Sequence, residues 1–179
     1  MTHGLNSQRC LGMANNVVRE FDLYPGMCTW LQTHLEDKYK KQQCEIIVVD
    51  CHSKNLDATL SEHKIIDYFP QVVGLKIEID VLGMVIWNDK AKIFFIEAKK
   101  TSLTLQNLGQ LLIYCKLCNP EEAYLLSSSG LGSLKKVLNN LNREDLLDFG
   151  TGKRIKKIKV ARWDFRRNTI DSHSLIPKI

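Results

Sequence analysis

Two apolar runs, Leu75 to Trp87 and Lys90 to Lys99, meet at one polar step, Asn88-Asp89. Asn and Asp tolerate the backbone of tight turns, so the step predicts a β-hairpin. Ile93-Phe94-Phe95-Ile96 is apolar on both faces, as a strand buried between two layers must be. Residues 26–42 set Met27, Trp30, Leu31, Leu35 and Tyr39 at helical spacing behind Pro25. Residues 45–50 are short and β-branched and read as a strand. Residues 104–118 read as a helix and 122–128 as a strand, an order that predicts a parallel crossover. Residues 132–142 read as a further helix and 154–165 as a last strand, whereas the mixed, polar segment 51–74 reads as a long loop or irregular insertion. The expected class is α/β, a central mixed β-sheet flanked by helices. A chain of 179 residues, 44% hydrophobic, suits one domain over 1–179 with its core near 75–128.

The hairpin also gathers charge. With a two-residue loop, Trp87 pairs with Lys90 and Asp80 falls opposite Glu97 on one face of the sheet. A four-residue loop places Asp80 opposite Lys99. A three-residue loop places it opposite Ala98, on the wrong face. Glu97 and Lys99 lie two apart in a strand and share a face, while Ala98 points the other way and leaves its carbonyl as a third oxygen donor. Two adjacent carboxylates repel each other, and a divalent cation relieves that repulsion. Mg²⁺ prefers hard oxygen ligands and can activate water and neutralise charge at phosphorus. Lys99 adds a cation that could orient water or stabilise charge on a phosphate.

Glu78-Ile79-Asp80 followed by Glu97-Ala98-Lys99 on the next strand resembles the signature of the PD-(D/E)XK nuclease superfamily. Gly109-Gln110-Leu-Leu-Ile-Tyr114 on the following helix resembles the Gln-xxx-Tyr motif of its RecB-like branch. The likeness covers about residues 75–128, and Ile79 stands where the family often has proline. It implies a restriction-endonuclease-like core, catalysis by Asp80, Glu97, Lys99 and Gln110, and Mg²⁺ held by Asp80, Glu97 and the Ala98 carbonyl. An acidic residue on the first helix often joins the metal site, with Glu36 the first candidate here and Glu20 the second. The implied activity is that of an endonuclease, foremost a type II restriction enzyme cutting double-stranded DNA as a homodimer. A structure-specific nuclease of the Holliday-junction or repair type, or a catalytically silent DNA-binding module, are the alternatives.

Residues 151–179 hold nine basic residues against Asp164 and Asp171, a net of +7 that leaves −2 for the rest of a +5 chain. Such a block favours a polyanion partner. Lys153, Arg154, Lys156, Lys157, Lys159, Arg162, Arg166 and Arg167 are the expected DNA contacts, with Lys100, Lys116, Lys135 and Lys136 as further candidates. Cys115-Lys-Leu-Cys118, with Cys44 and Cys51, could in principle hold zinc, but loose spacing favours ordinary packing. His34, His52 and His63 lack metal-ligand spacing. Ser127-Ser128-Ser129 lacks the nucleophile elbow, and Gly130-Leu-Gly132 reads as a strand-to-helix turn. No apolar run reaches the roughly 18 residues of a membrane span, and no signal-like segment opens the chain, so an intracellular, cytoplasmic or nucleoid-associated protein is expected.

Overall fold

The computed structural model describes residues 19–150, 152 and 154–178. Helix α1 (Tyr24–Tyr39) follows a single 3₁₀ turn at Glu20–Leu23 and leads to strand β1 (Glu45–Asp50). Helix α2 (Leu56–Glu62) and two 3₁₀ turns, Ile66–Tyr68 and Pro70–Val72, lead to the hairpin β2 (Val81–Ile86) and β3 (Ala91–Lys99). Then come α3 (Leu105–Cys118), β4 (Glu122–Ser127), α4 (Gly132–Lys135), β5 (Asp148–Phe149), β6 (Lys156–Lys157), β7 (Lys159–Asp164) and β8 (Thr169–Ile170). Six strands form one mixed sheet in the order β1-β2-β3-β4-β7-β8, and β5 pairs with β6 apart from it. The β1-β2-β3 half is antiparallel, β3, β4 and β7 run parallel, and β8 turns back against β7. None of the described helices is long and apolar enough to cross a membrane.

Strand alternation sorts the core into two layers. Phe94, Ile96 and Ala98 of β3 face α1, which buries Met27, Leu31, Leu35 and Tyr39 along one stripe. Ile93 and Phe95 face the opposite layer, where Leu108, Leu111, Cys115 and Cys118 of α3 are buried. Gly83 lets α1 approach the sheet. A Cβ there would stand 3.0 Å from the side chains of Leu31 and Leu35 and 3.2 Å from Phe94. Overpacking of a filled core costs about 1–3 kcal/mol. Gly83→Val is therefore expected to destabilise the fold by an amount within that range in urea unfolding, and an unchanged midpoint would contradict this packing.

Several sequence expectations need correction. Segment 51–74 is ordered: Leu56, Leu60, Ile65, Phe69 and Val72 are buried in the α3-side core. Its polar residues hid a short amphipathic helix. The strand expected from Leu75 is paired only from Val81. Ile77 and Ile79 instead pack into the same core, and the Ile77 carbonyl accepts from Leu56 N–H rather than from a ladder partner. The helix expected over 132–142 widens into a π-helical stretch at Lys136–Asn140. The last strand is split at Ile158, whose N–H bonds the Leu147 carbonyl.

Candidate active site

The hairpin closes as a two-residue loop. Trp87 N–H donates to the Lys90 carbonyl at 2.9 Å, and the ladder runs to Val81 opposite Ile96. The next pair outward in that register is Asp80 and Glu97. Alternation carries Glu97 and Lys99 onto the face of Ile93 and Phe95.

Asp80 Oδ2 accepts from Ala98 N–H at 2.7 Å, and Oδ1 accepts from the Tyr24 hydroxyl at 2.9 Å. Lys99 Nζ donates to Glu97 Oε1 at 2.8 Å and to the Ala98 carbonyl at 2.9 Å. It also lies 4.0 Å from Asp80 Oδ2 and 3.5 Å from Glu20 Oε1. The other Glu20 oxygen accepts from Lys100 N–H at 2.9 Å. One ammonium thus stands among three carboxylates and a carbonyl. The Glu97 side chain is only 5% exposed and that of Asp80 13%, whereas Glu20 at 36% forms the open rim.

Burial dominates the titration of both inner acids. It pushes Glu97 up to about 7, helped by the neighbouring Asp80 charge and opposed by Lys99. Burial also raises Asp80, against the Ala98 N–H, Lys99 and the Tyr24 hydroxyl, which favour its charged form. Burial works to lower Lys99, but Glu97, then Asp80 and Glu20, hold it above the ordinary lysine range. Burial and the Asp80 charge keep the Tyr24 hydroxyl protonated. The lysine is therefore a fixed cation and hydrogen-bond donor, not a base.

Among the described residues no group of three or more His, Cys, Asp and Glu side chains is arranged to hold a metal ion. The oxygens of Asp80, Glu97 and Ala98 nevertheless all face the one ammonium of Lys99. That all-oxygen donor set, with its two carboxylates, fits Mg²⁺.

Among the described residues, neither Gln110 nor Glu36 has a hydrogen bond or ion pair to these groups. Gln110 is on the exposed face of α3, because the helix turns its Leu108-Leu111-Cys115 face to the core. Glu36 is exposed and bonded to Gln32 on its own helix, so Glu20 alone of the two candidates reaches the site. Tyr24 was not foreseen. Its role depends on how the start of α1 meets the hairpin, and no local pattern signals that.

The basic segment divides. Lys153 lies outside the described residues. Lys156 donates to the Asn119 and Pro120 carbonyls at the end of α3, Lys157 binds Asp148 at 2.6 Å, and Lys159 lies 3.3 Å from Glu122 and 3.1 Å from the Tyr124 hydroxyl. These three lysines hold the fold together, because their carboxylate and carbonyl partners sit on adjoining elements. Arg154, Arg162, Arg166 and Arg167 stay exposed. Among the described residues the cysteines do not gather into a zinc site. Cys51 and Cys118 are buried free thiols that burial pushes up to about 12, the reverse of what a thiolate ligand needs.

Comparison with protein-family models, with curated proteins and with solved structures yields no match for this chain.

Proposed function

We propose that this chain is a Mg²⁺-dependent endonuclease of the PD-(D/E)XK type, with a restriction-endonuclease-like core, that hydrolyses phosphodiester bonds in duplex DNA. The observation that carries the reading is the meeting of Asp80, Glu97 and the Ala98 carbonyl around the Lys99 ammonium. When bound, Mg²⁺ would supply an activated water and neutralise charge at phosphorus. Asp80, Glu97 and the Ala98 carbonyl would hold it. Tyr24 and Ala98 N–H fix the Asp80 carboxylate through one oxygen each. Lys99, kept protonated, donates to a non-bridging phosphate oxygen as negative charge develops there. Glu20 stands at the open rim, placed to orient an incoming water.

Within that reading we take the form to be a type II restriction enzyme acting as a homodimer, and the outer face of α3 supports the homodimer. Leu105, Ile113 and Leu117 recur along that face with exposures of 50%, 58% and 46%, and a Cβ at Gly109 between them would meet nothing within 4 Å. That stripe offers a self-complementary helix face. Size-exclusion at assay concentration reads the dimer.

The test is supercoiled plasmid incubated with the protein in Mg²⁺ or in EDTA, beside Asp80→Ala and Lys99→Ala. Discrete Mg²⁺-dependent fragments, reduced at least about a hundredfold in rate in both variants, are expected. An intact plasmid with the wild-type protein would remove the restriction reading and direct the assay to branched junctions.

A further inference from the structure

We infer that a basic cleft beside the candidate active site receives the DNA strand within about three nucleotides of the bond to be cut. This inference rests on the nuclease reading for its substrate but on separate residues for its geometry.

The cleft encloses about 670 Å³ at the C-terminal ends of the parallel strands, and Lys135, Arg162 and Lys178 line it. Glu144 is the one carboxylate side chain in its lining. These three cations come from different elements: the end of α4, the middle of β7 and the C-terminal segment. None of the three has an ion pair with a side chain among the described residues. Lys178 donates instead to the carbonyls of Ser172 and His173. The contrast with Lys156, Lys157 and Lys159, all engaged with carboxylates, is what separates a binding surface from a scaffold here.

Register fixes the cleft relative to the acids. Lys99 lies opposite Ser127, and Ser127 lies opposite Arg162, so all three share one sheet face. Strands lie about 4.8 Å apart, which puts the Arg162 backbone about 10 Å from that of Lys99. The axial rise of about 3.4 Å per nucleotide is the least that separates successive phosphates of a strand, so this offset spans no more than about three nucleotides. The two regions are joined by backbone: Ser128 N–H donates to the Lys99 carbonyl at 3.1 Å, and Ser128 also lines the cleft. A strand with one phosphate at Lys99 therefore runs naturally across the sheet ends into a region carrying three cations against one acid. Flexible ammonium groups and a guanidinium suit phosphate oxygens, and among the described residues no Phe, Tyr or Trp lines the cleft to stack a base.

The experiment is fluorescence anisotropy of a short labelled DNA duplex in EDTA, where no cleavage occurs, over a series of salt concentrations. Lys135→Gln, Arg162→Gln, Lys178→Gln and their triple combination are compared with wild type. Lys41→Gln, an exposed change at the opposite end of the sheet, controls for net charge. Each cleft variant is expected to bind about two- to fivefold more weakly, the reach of an exposed ion pair. The triple variant should lower the slope of log Kd against log salt by about two to three, close to one for each phosphate no longer neutralised. A triple variant, folded by circular dichroism, that weakens binding no more than Lys41→Gln does overturns the inference. So does a wild-type protein that fails to bind the duplex. Competition by inorganic phosphate as effective as by DNA would assign the cleft to a free anion and overturn it too. Weakened binding in the cleft variants without any Mg²⁺-dependent cleavage by wild type would leave the cleft standing and remove the hydrolytic reading.

Discussion

Glu97→Gln is expected to make the metal-free protein more stable above pH 7 while reducing Mg²⁺-dependent cleavage at least about a hundredfold. The two effects have one origin. Glu97 is 5% exposed, and burial with the Asp80 charge lifts it from an ordinary 4.5 to about 7. Between those pH values the folded state keeps a proton that the unfolded chain has released. Stability therefore falls as pH rises from about 4.5 to about 7 and levels off above that. Glutamine cannot ionise, so this penalty disappears. In the variant Lys99 exchanges a charged 2.8 Å partner for a neutral amide oxygen that can still accept, and it keeps the Ala98 carbonyl, Glu20 and Asp80 nearby. Thermal melts in EDTA should show wild type and variant together at pH 4 and the variant melting higher at pH 8. Equal midpoints at pH 8 would mean that the Glu97 charge is not costly in the folded protein. Added Mg²⁺ should stabilise wild type increasingly as pH rises through 7, since the ion competes with the proton for Glu97.

The second large effect lies at the other end of β4. The Glu122 side chain, 13% exposed, accepts from the Tyr124 hydroxyl at 2.6 Å, lies 2.9 Å from His34 Nε2, and pairs with Lys38 and Lys159. Burial opposes its charge, but the bonds from His34, Lys38 and Tyr124, with the Lys159 charge, hold its carboxyl far below the usual range. The cluster ties α1 to β4 and β7. Breaking a buried ion pair costs about 3–5 kcal/mol, and partial exposure of Lys38 and Lys159 reduces this to about 2–3 kcal/mol. Urea unfolding of Glu122→Ala at pH 7 should show a destabilisation of that size, and one below about 1 kcal/mol would mean the cations rehydrate freely. The depressed carboxyl also fixes the acid limb. Its contribution is fully present above about 4.5 and fades as pH falls, the opposite sense to Glu97.

Local signals carried most of the sheet. The β-branched run Glu45–Asp50 forms β1 with those bounds, and the Asn88-Asp89 step sets the register that puts Asp80 beside Glu97. Both depend on neighbours in sequence. Local pattern misleads where distant packing decides. Ile77 and Ile79 carry strand-like patterning, yet α2 claims them for its own core. Lys156, Lys157 and Lys159 look like a nucleic-acid surface until Asn119, Asp148 and Glu122 come within reach. Tyr24 and Glu20 reach the site because the turn before α1 folds back over the end of β3, far away in sequence.

The two-residue loop has a temporal consequence. Asp80 and Glu97 belong to one hairpin, and hairpins close in about 1–10 μs. Their like charges are thus forced together among the earliest encounters the chain can make. The cleft waits for β4, α4 and β7, joined by parallel crossovers that bring residues together slowly. Lys99 travels with the acids on the same strand, so the repulsion arrives with its own neutraliser. Arg162, Lys135 and Lys178 complete their ring only when the last strands dock. If the proposed function holds, metal binding should therefore precede nucleic-acid affinity during refolding, and the interval between the two would time the closure of the sheet.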